Sequence, residues 1–368
     1  MTSLRFFIVF LFFILTACGS MHTPPEHQKN MKPLPTITGK QQVSLLLPLN
    51  GHLQEKASAI RDGFFAAYYQ DPSKANITLI DTASHTMSEN YKKASEQTTT
   101  FIVGPLEKNQ VKFLANQTQL PITTLALNYS EGSLPPQLIE FGLSPLDEIT
   151  QVTALAKQAG HRKVLIVTSA DAWGKNMKKQ FSENWENLGG KIVADFSLSP
   201  EQNILDQLQT LVPDMENANK LKTPRFDAVL LAANPEQARS LAALFRFYGL
   251  NTIPIYATSS VYSGMASAED KDLEGVYFCD IPWVINPTPE MQHATSQLKA
   301  LHPEAGFDIR LYALGLDAYR LIYQLPYLSS NKNAQYEGVT GTLRLKNQRI
   351  TRTLTCGQFV NGQIASLS

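Results

Sequence analysis

Residue types that perform catalysis occur in this sequence, but not in the patterns that catalysis requires. There is no G-x-S-x-G nucleophile motif, no glycine-rich phosphate loop ending in Lys-Ser or Lys-Thr, and no G-x-G-x-x-G after an apolar run. The seven histidines show no metal-ligand spacing. Asp81, Ser84 and His85 share one short segment, but catalytic triads rarely come from residues so close in sequence, so we interpret them as a polar turn. We therefore predict a protein that is not an enzyme and that uses no metal or cofactor.

The polar groups best arranged for binding lie in short loops, each after an apolar run typical of a strand. Their amide, hydroxyl and aromatic side chains suit a ligand cleft or a protein-binding face. Turn formation is the alternative, because glycine, asparagine and aspartate favour turns for conformational reasons. The candidate ligand-binding or partner-binding residues are Asn50, Gly51, Gly104, Pro105, Asn128, Asp171, Trp173, Ser259 and Tyr262.

Trp173 is the strongest of these candidates. An indole beside Asp171 and Gly174 is an unusual choice for a turn, and tryptophan is enriched at binding hot spots. Packing in the core is the alternative for this side chain.

These loops connect strand-like and helix-like segments that alternate repeatedly along the chain. In the first unit, Val43 to Tyr69, an apolar run that ends at Pro48 suits a strand covered on both faces, and apolar residues then recur at helical spacing. Asn50 and Gly51 follow that strand at its carboxyl end, where open α/β folds place their ligands. Because the alternation continues along the chain, we predict an α/β fold with two lobes, each a parallel sheet flanked by helices.

The length of 368 residues also favours two lobes, at roughly 150 residues per domain. Alternation in Val339–Leu345 and Ile350–Val360 predicts a C-terminal antiparallel hairpin, with a further turn at Asn361–Gly362. Because late segments return to both lobes, the chain crosses between the lobes more than once, and such crossings form a hinge. The predicted lobes are residues 41–143 with about 283–327 for lobe 1, and residues 144–282 with about 328–368 for lobe 2.

For two helices the sequence pattern predicts which polar or aromatic side chains are buried and which are exposed. Arg246-Phe247-Tyr248-Gly249 ends one helix with a glycine cap, and we expect Phe245, Phe247 and Tyr248 to pack in the core. In the helix Ile309–Leu325 we expect a surface face with ion pairs. Its members are Arg310, Tyr312, Asp317, Tyr319 and Arg320.

The amino-terminal segment is typical of an export signal. Met1–Cys18 has one early positive charge and an apolar core too short to span a membrane. Leu15-Thr16-Ala17-Cys18 resembles a bacterial lipobox, in which the signal is cleaved before Cys18 and that thiol is acylated; an uncleaved anchor with an incidental cysteine is the alternative. Gly19, rather than aspartate, follows the cysteine, which favours the outer membrane. The folded part then faces the periplasm.

Residues Gly19–Lys40 are rich in Pro, Thr, His and Lys and show no apolar period, which predicts a flexible tether. Lys plus Arg (32) equals Asp plus Glu (32), and the absence of a basic patch argues against a nucleic-acid partner. Cys279 and Cys356 could form a disulfide in the periplasm, but two unpaired buried cysteines are the interpretation we favour.

A set of short motifs occurs in order between Val43 and Phe359. These motifs are Leu45-Leu46-Leu47-Pro48-Leu49, Ala59-Ile60-Arg61-Asp62-Gly63-Phe64, Val103-Gly104-Pro105-Leu106, Leu125-Ala126-Leu127-Asn128, Leu143-Ser144-Pro145 with Asp147-Glu148, Trp173-Gly174, Arg246-Phe247-Tyr248-Gly249, Tyr256-Ala257-Thr258-Ser259, Val261-Tyr262-Ser263-Gly264, Phe278-Cys279-Asp280-Ile281-Pro282-Trp283 and Arg310-Leu311-Tyr312-Ala313-Leu314-Gly315. Together they resemble the LppC/LpoA family of lipoprotein activators of penicillin-binding proteins. The two-lobed alternation also resembles type I periplasmic binding proteins.

The resemblance implies a two-lobed periplasmic-binding-protein-like fold and a protein without enzymatic activity. It implies that the partner is a class A penicillin-binding protein, a bifunctional peptidoglycan synthase whose cross-linking the protein stimulates. Longer members of that family carry a helical-repeat domain ahead of this one, whereas only the tether precedes it here.

The alternative is a lipid-anchored solute receptor that binds a small molecule between its lobes. Amino-acid receptors of this fold usually present hydroxyl-rich loops, and Gly104-Pro105-Leu106-Glu107 has none, which argues against this alternative. Ser259-Ser260 and the loop at Asn128 could still serve it. A third hypothesis, a hydrolase, has no supporting set of residues.

Overall fold

The computed structural model describes residues 33–96, 98–199, 203–211, 225–301 and 308–367. The predicted signal peptide, Cys18 and most of the predicted tether lie outside these residues. The strands of the described part are β1 (Gln41–Leu47), β2 (Ala75–Asp81), β3 (Phe101–Val103), β4 (Thr124–Ala126), β5 (Leu138–Glu140), β6 (Lys163–Ser169), β7 (Lys191–Leu198), β8 (Ala228–Ala232), β9 (Ile255–Ala257), β10 (Tyr277–Asp280), β11 (Tyr336–Gly338), β12 (Gly341–Lys346), β13 (Arg349–Thr353), β14 (Thr355–Val360) and β15 (Gln363–Ser366).

The helices alternate with these strands over most of the chain, as the sequence pattern predicted. They are α1 (Gln54–Tyr68), α2 (Met87–Ser95), α3 (Lys108–Ala115), α4 (Pro145–Gln158), α5 (Ala172–Asn187), α6 (Ile204–Leu211), α7 (Pro235–Phe247), α8 (Pro282–Ile285), α9 (Pro289–Leu301) and α10 (Ile309–Ser330). Short 3-10 helices lie at Pro72–Lys74, Ser259–Val261 and Ala268–Leu273.

The first sheet has the strand order β11-β12-β13-β5-β4-β3-β1-β2. Strands β2, β1, β3, β4 and β5 are parallel neighbours. Leu45, Leu46 and Leu47 of β1 are fully buried, as expected for a strand covered on both faces. At the other edge β13 is parallel to β5, while β12 is antiparallel to both β13 and β11.

The second sheet has the order β15-β14-β10-β9-β8-β6-β7. Strands β7, β6, β8, β9 and β10 are parallel neighbours, and β14 and β15 add an antiparallel edge. The predicted α/β fold, with two mainly parallel sheets flanked by helices, is therefore confirmed.

The carboxyl-terminal strands divide between the two sheets. β12 and β13 form the predicted antiparallel hairpin around a turn at Asn347 and Gln348, whose φ values are 50° and 62°. This hairpin belongs to the first sheet, so placing all residues after 328 in lobe 2 is wrong for Tyr336–Thr353. The Gln348 carbonyl accepts the Glu140 N–H at 2.9 Å and holds the hairpin beside β5. Only β14 and β15 join the second sheet; the other lobe boundaries stay a prediction.

Three buried apolar clusters show how the sheets share their core. In β6, Val164 and Ile166 belong to one cluster whereas Leu165 and Val167 belong to another, because successive residues of a strand face opposite sides. The first of these clusters also includes Leu45 and other residues of the first sheet. The remaining cluster covers only the opposite face of the first sheet. One face of each sheet therefore contributes to a common core.

Helices α1 and α10 cross in direct backbone contact on the first sheet. A Cβ added at Gly63 would lie 1.9 Å from the Tyr312 carbonyl oxygen, and one at Gly315 would lie 2.0 Å from the Ile60 carbonyl oxygen. The surface ion-pair face expected on α10 is therefore wrong for most of its members. Asp317 is fully buried and accepts the Thr340 N–H at 2.8 Å.

Two further expectations are corrected by the structure. Phe245 is buried, but Phe247 is 80% exposed, because residues two positions apart on a helix point to different faces. Cys279 and Cys356 form a disulfide instead of remaining unpaired, because antiparallel pairing of β10 with β14 places them opposite each other. Within the described ranges, no helix has the length and apolar character needed to cross a membrane.

Candidate functional site

The carboxyl ends of four neighbouring strands in the second sheet surround a cavity of about 420 Å³. Ser169 ends β6, Leu198 ends β7, Asn234 follows β8, and Ser260 follows β9. This is the edge at which open α/β sheets bind ligands. We therefore take this cavity as the candidate site.

Trp173 lines the cavity and is 37% exposed. It lies four residues before Met177, which is followed at the same interval by Phe181 and Trp185, all three of them buried. Residues four apart share a helix face, so Trp173 continues the stripe that packs on the sheet. The cavity next to Trp173 leaves this indole accessible at the sheet edge.

Asp171 caps α5 at the rim of the cavity. Its Oδ1 accepts the Gly174 N–H at 2.7 Å and the Ser169 hydroxyl at 2.8 Å, and these bonds lower the pKa of Asp171. A Cβ at Gly174 would lie 1.9 Å from the Ser169 carbonyl oxygen, so glycine is required where the helix starts against the strand. The cavity therefore has a fixed carboxylate at its edge.

Asn234 caps α7 on the other side of the cavity. Its Oδ1 accepts the Gln237 N–H at 2.9 Å, and Gln237 Oε1 accepts the Asn234 N–H at 3.3 Å, which is the reciprocal arrangement of a capping box. The Gln237 Nε2 donates to the Leu198 carbonyl at 3.2 Å. Both amides are thereby held in place.

Charged side chains of two other elements hold the turn after β9 in place. Glu148 of α4 accepts the Ser259 N–H at 2.8 Å. Arg310 of α10 donates to the Ser259 carbonyl at 3.3 Å and to the Tyr262 carbonyl at 3.1 Å. Arg310 also forms an ion pair with Asp280 at 2.6 Å. These contacts fix the loop that carries Ser260 into the cavity.

Burial governs the protonation of these groups. Burial, with the negative charge of Asp280, raises the pKa of Glu148 to about 7, although the positive charges of Arg352 and Arg310 act to lower it. Burial acts to lower the pKa of Arg310, but Asp280 more than offsets this and raises it. The arginine is therefore always charged, whereas Glu148 titrates near neutral pH.

Charged groups lie at each place where the chain passes between the sheets. Glu148 and Asp147 follow the passage from β5 to α4, Asp280 precedes the passage from β10 to α8, and Arg352 precedes the passage from β13 to β14. Arg352 Nε binds Asp147 at 3.0 Å, and burial raises the pKa of Asp147 despite this partner. The passages are thus joined by charged contacts as well as by the common core.

At the carboxyl edge of the first sheet, Asn50 and Gly51 are exposed. Asp81 organises this loop by accepting the Leu49 N–H at 2.8 Å and the Asn50 side-chain amide at 2.8 Å. Burial acts to raise the pKa of Asp81, but its hydrogen bonds, first that from the Ser84 hydroxyl, lower it to about 2. Asp81 and Ser84 therefore form the polar turn that the sequence predicted.

Gly104, Pro105 and Asn128 are engaged within the first sheet. Gly104 and Pro105 are buried, and a Cβ at Gly104 would lie 2.1 Å from the Leu46 carbonyl oxygen. The Asn128 amide donates to the Leu106 carbonyl at 3.0 Å. These contacts give the three residues structural roles.

Two of the nine candidate residues line this cavity. Asp171 and Trp173 line the cavity in the second sheet, and Ser259 supports it through its backbone. Tyr262 is 7% exposed and packs on Phe278 and Phe359 with ring centroids 6.0 and 5.6 Å away. Their binding roles stay predictions.

The charged residues that support the turn were not predicted from the sequence. Glu148 appeared only within a motif shared with a known family, and Arg310 was expected on a surface face. A signal did exist for Asp280, because a carboxylate within the apolar stretch Phe278–Ile281 requires a buried partner. Which arginine provides it cannot be read from the sequence. Among the described residues, no group of three or more His, Cys, Asp or Glu is suited to hold a metal ion.

Comparisons with known proteins agree with this architecture. A family model described as "LppC putative lipoprotein" matches residues 19–362. A Photobacterium profundum protein named penicillin-binding protein activator LpoA is 29% identical over 360 residues, which cover 89% of this chain and 58% of that protein. This chain therefore spans a little over half the length of that relative.

Solved structures give the same result. The LpoA (YraM) C-domain from Haemophilus influenzae, described as a regulator of PBP1A, matches with a TM-score of 0.74 and 25% identity over 89% of this chain and 100% of that domain. An ABC transporter substrate-binding protein from Sphaerobacter thermophilus matches with a TM-score of 0.62 at 16% identity over 89% of this chain and 96% of its own. The second match supports the fold alone.

Proposed function

The chain belongs to the LppC family of lipoproteins, and from that premise we propose that it activates a class A penicillin-binding protein. In this proposal it binds the peptidoglycan synthase without catalysing a reaction itself and stimulates cross-linking. The match to an entire domain of a PBP1A regulator is the observation that carries the proposal.

Activation requires a difference in affinity between two states of the synthase. A bound protein shifts a conformational equilibrium only by binding one state more tightly. We infer that this chain presents a rigid surface that fits the active state. The common core and the charged contacts between the sheets supply that rigidity.

The proposed location follows from the family and from the amino-terminal sequence. A lipoprotein of this family belongs to the bacterial envelope. We propose that Cys18 carries the lipid and that the outer membrane holds it, because Gly19 rather than aspartate follows. The folded part then meets the synthase in the periplasm.

The test uses the full-length chain in detergent with class A penicillin-binding proteins from the same bacterium. We expect direct binding and a faster rise of cross-linked product from lipid-linked precursor. Phe247→Ala removes the large apolar side chain that is most exposed among the described residues and tests whether that end of the second sheet contacts the synthase. Heat-denatured protein provides the control.

A solute receptor is the second candidate function, and the cavity at Trp173 is the observation that favours it. If no class A synthase binds and cross-linking is unchanged, while a small metabolite raises the melting temperature, the receptor replaces the activator.

A further inference from the structure

The cavity beside Trp173 has the dimensions and lining of a small-molecule site. Its volume of about 420 Å³ falls within the roughly 300–1,000 Å³ of such sites. An indole forms one wall, and carboxylate, amide and hydroxyl groups form the others, from Asp171, Asn234 and Ser260. A ligand that fits must therefore combine one apolar face with a polar edge.

The charge of the lining disfavours anionic ligands. Of the described residues around the cavity none is lysine or arginine, and Asp171 adds a negative charge. At the amino termini of α5 and α7, which attract anions, Asp171 and Asn234 each already accept one backbone amide. A free carboxylate or phosphate would find no lysine or arginine in the lining, which also argues against an amino acid.

The remaining polar groups suit a ligand with hydroxyl groups. The Asn234 Nδ2 has no hydrogen-bond partner among the described residues, so it can donate to a ligand oxygen. Ser260 shares one hydrogen bond with Thr258 at 2.7 Å, and a hydroxyl retains further capacity. Asp171 can accept more bonds than the two given above, because each carboxylate oxygen has two lone pairs.

We propose that this cavity binds a neutral saccharide, with the indole of Trp173 against one face of a pyranose ring. The C–H bonds on such a face carry a positive partial charge and the indole face a negative one. The ring hydroxyls then reach Asp171, Asn234 and Ser260. Sugars of a peptidoglycan glycan strand are the natural candidates; that choice of sugar rests on the proposed function, whereas the saccharide class rests on the cavity alone.

Trp173 itself provides the measurement. The other two tryptophans, Trp185 and Trp283, are 0% and 7% exposed, so acrylamide quenching of fluorescence reports chiefly on Trp173. We expect the linear trimer of N-acetylglucosamine to protect this fluorescence in the full-length protein. Maltotriose and leucine serve as competing probes. Because no synthase is present, a negative result does not bear on the activator proposal, which has a separate test.

Variants of the lining residues test whether the saccharide binds in this cavity. We expect Trp173→Ala to weaken binding of the trimer about tenfold or more by calorimetric titration, since it removes the stacking surface. Asn234→Asp keeps a good helix cap but replaces the amide donor with a carboxylate, and we expect a similar loss with an unchanged melting temperature. Phe247→Ala, an exposed aromatic at the other end of the same helix as Asn234, leaves binding unchanged.

Each outcome decides the proposal. Protection by maltotriose but not by the N-acetylated trimer keeps the saccharide class and removes the glycan-strand assignment. Protection by leucine alone, binding that survives in both cavity variants, or no binding of either sugar at millimolar concentration overturns the proposal.

Discussion

Glu148 is a partly buried acid that supports the turn at Ser259–Tyr262. Its carboxyl group accepts the Ser259 N–H, and burial raises its pKa from 4.5 to about 7. In the folded protein Glu148 therefore holds a proton over a pH range in which the unfolded chain has released it. Arg310, by contrast, keeps its charge and its contact with Asp280 throughout.

The first prediction is that Glu148→Gln removes this pH dependence and keeps an acceptor for the Ser259 amide. Because the folded pKa lies above the ordinary value, the stabilisation from protonated Glu148 is complete below pH 4.5 and is lost as the pH rises through about 7. Across this range the free energy of unfolding should fall in the unaltered protein relative to the variant, by up to about 3 kcal/mol. Urea unfolding measures it; a difference constant with pH would contradict it.

Asp81 shows the opposite shift and gives the second prediction. Its lowered pKa means that its stabilisation is present above its ordinary pKa of 3.8 and is lost as the pH falls through about 2. Asp81→Ala leaves the Leu49 and Ala83 amides without their acceptor, so we expect a loss of about 1–2 kcal/mol at neutral pH. The matched control Asp71→Ala removes only exposed local contacts and should leave the stability nearly unchanged.

At the scale of elements, the crossing of α1 and α10 gives the third prediction. Alanine normally stabilises a helix relative to glycine by about 1 kcal/mol. At Gly63 the added methyl would overlap the Tyr312 carbonyl, so we expect Gly63→Ala to destabilise the protein by about 1–3 kcal/mol instead. Ser58→Ala in the same helix is the control and should have little effect. A stabilised Gly63→Ala would show that the helices are further apart than described.

The disulfide between β10 and β14 gives the fourth prediction. It closes a loop between residues 77 positions apart, and crosslinks of this kind stabilise proteins by about 2–4 kcal/mol. We expect a reductant to lower the urea midpoint of the unaltered protein. The double variant Cys279→Ser, Cys356→Ser should unfold at that lower midpoint with or without reductant. An unchanged midpoint on reduction would mean that β14 stays in place without the crosslink.

The elements themselves were largely predictable, because strand and helix patterns are local. The apolar run before Pro48 forms β1, and the helical spacing that follows it forms α1, as the sequence indicated. The placement of α10 was not predictable, since its polar residues are covered by the strand turn at Thr340, which is remote in sequence. The same holds for β13, because its neighbour β5 comes about 200 residues earlier and alternation does not show which sheet a strand joins.

The candidate site was predictable only where one side chain stood out. Trp173 and Asp171 were found because an indole in a strand-end loop is uncommon, and both line the cavity. Asn234 was missed because it resembles any helix cap, and its role depends on which strand ends are neighbours. Glu148 and Arg310 were missed because their burial depends on the meeting of α4, α10 and the turn after β9.

At the scale of the whole molecule, the two sheets that the sequence pattern predicted share one buried core. Val43 and Ile139 of the first sheet and Val164 and Tyr256 of the second belong to the same buried cluster. The chain passes between the sheets at α4, after β10 and after β13. Separating the sheets would therefore expose apolar surface on both sides and break buried charged contacts, each of which is costly without its partner.

The fifth prediction is that the two sheets unfold together. Because they share a core, partial unfolding of one would expose the apolar face of the other, so calorimetry should show a single transition with equal calorimetric and van't Hoff enthalpies. Two variants sharpen this test: Gly63→Ala acts on the first sheet, and Gly190→Ala acts on the second, where an added Cβ would lie 2.2 Å from the Trp185 ring. Both should move the same transition as a whole. If each variant shifted a different one of two transitions, the sheets would be independent folding units, and the rigid surface proposed for binding the synthase would have to come from one sheet alone.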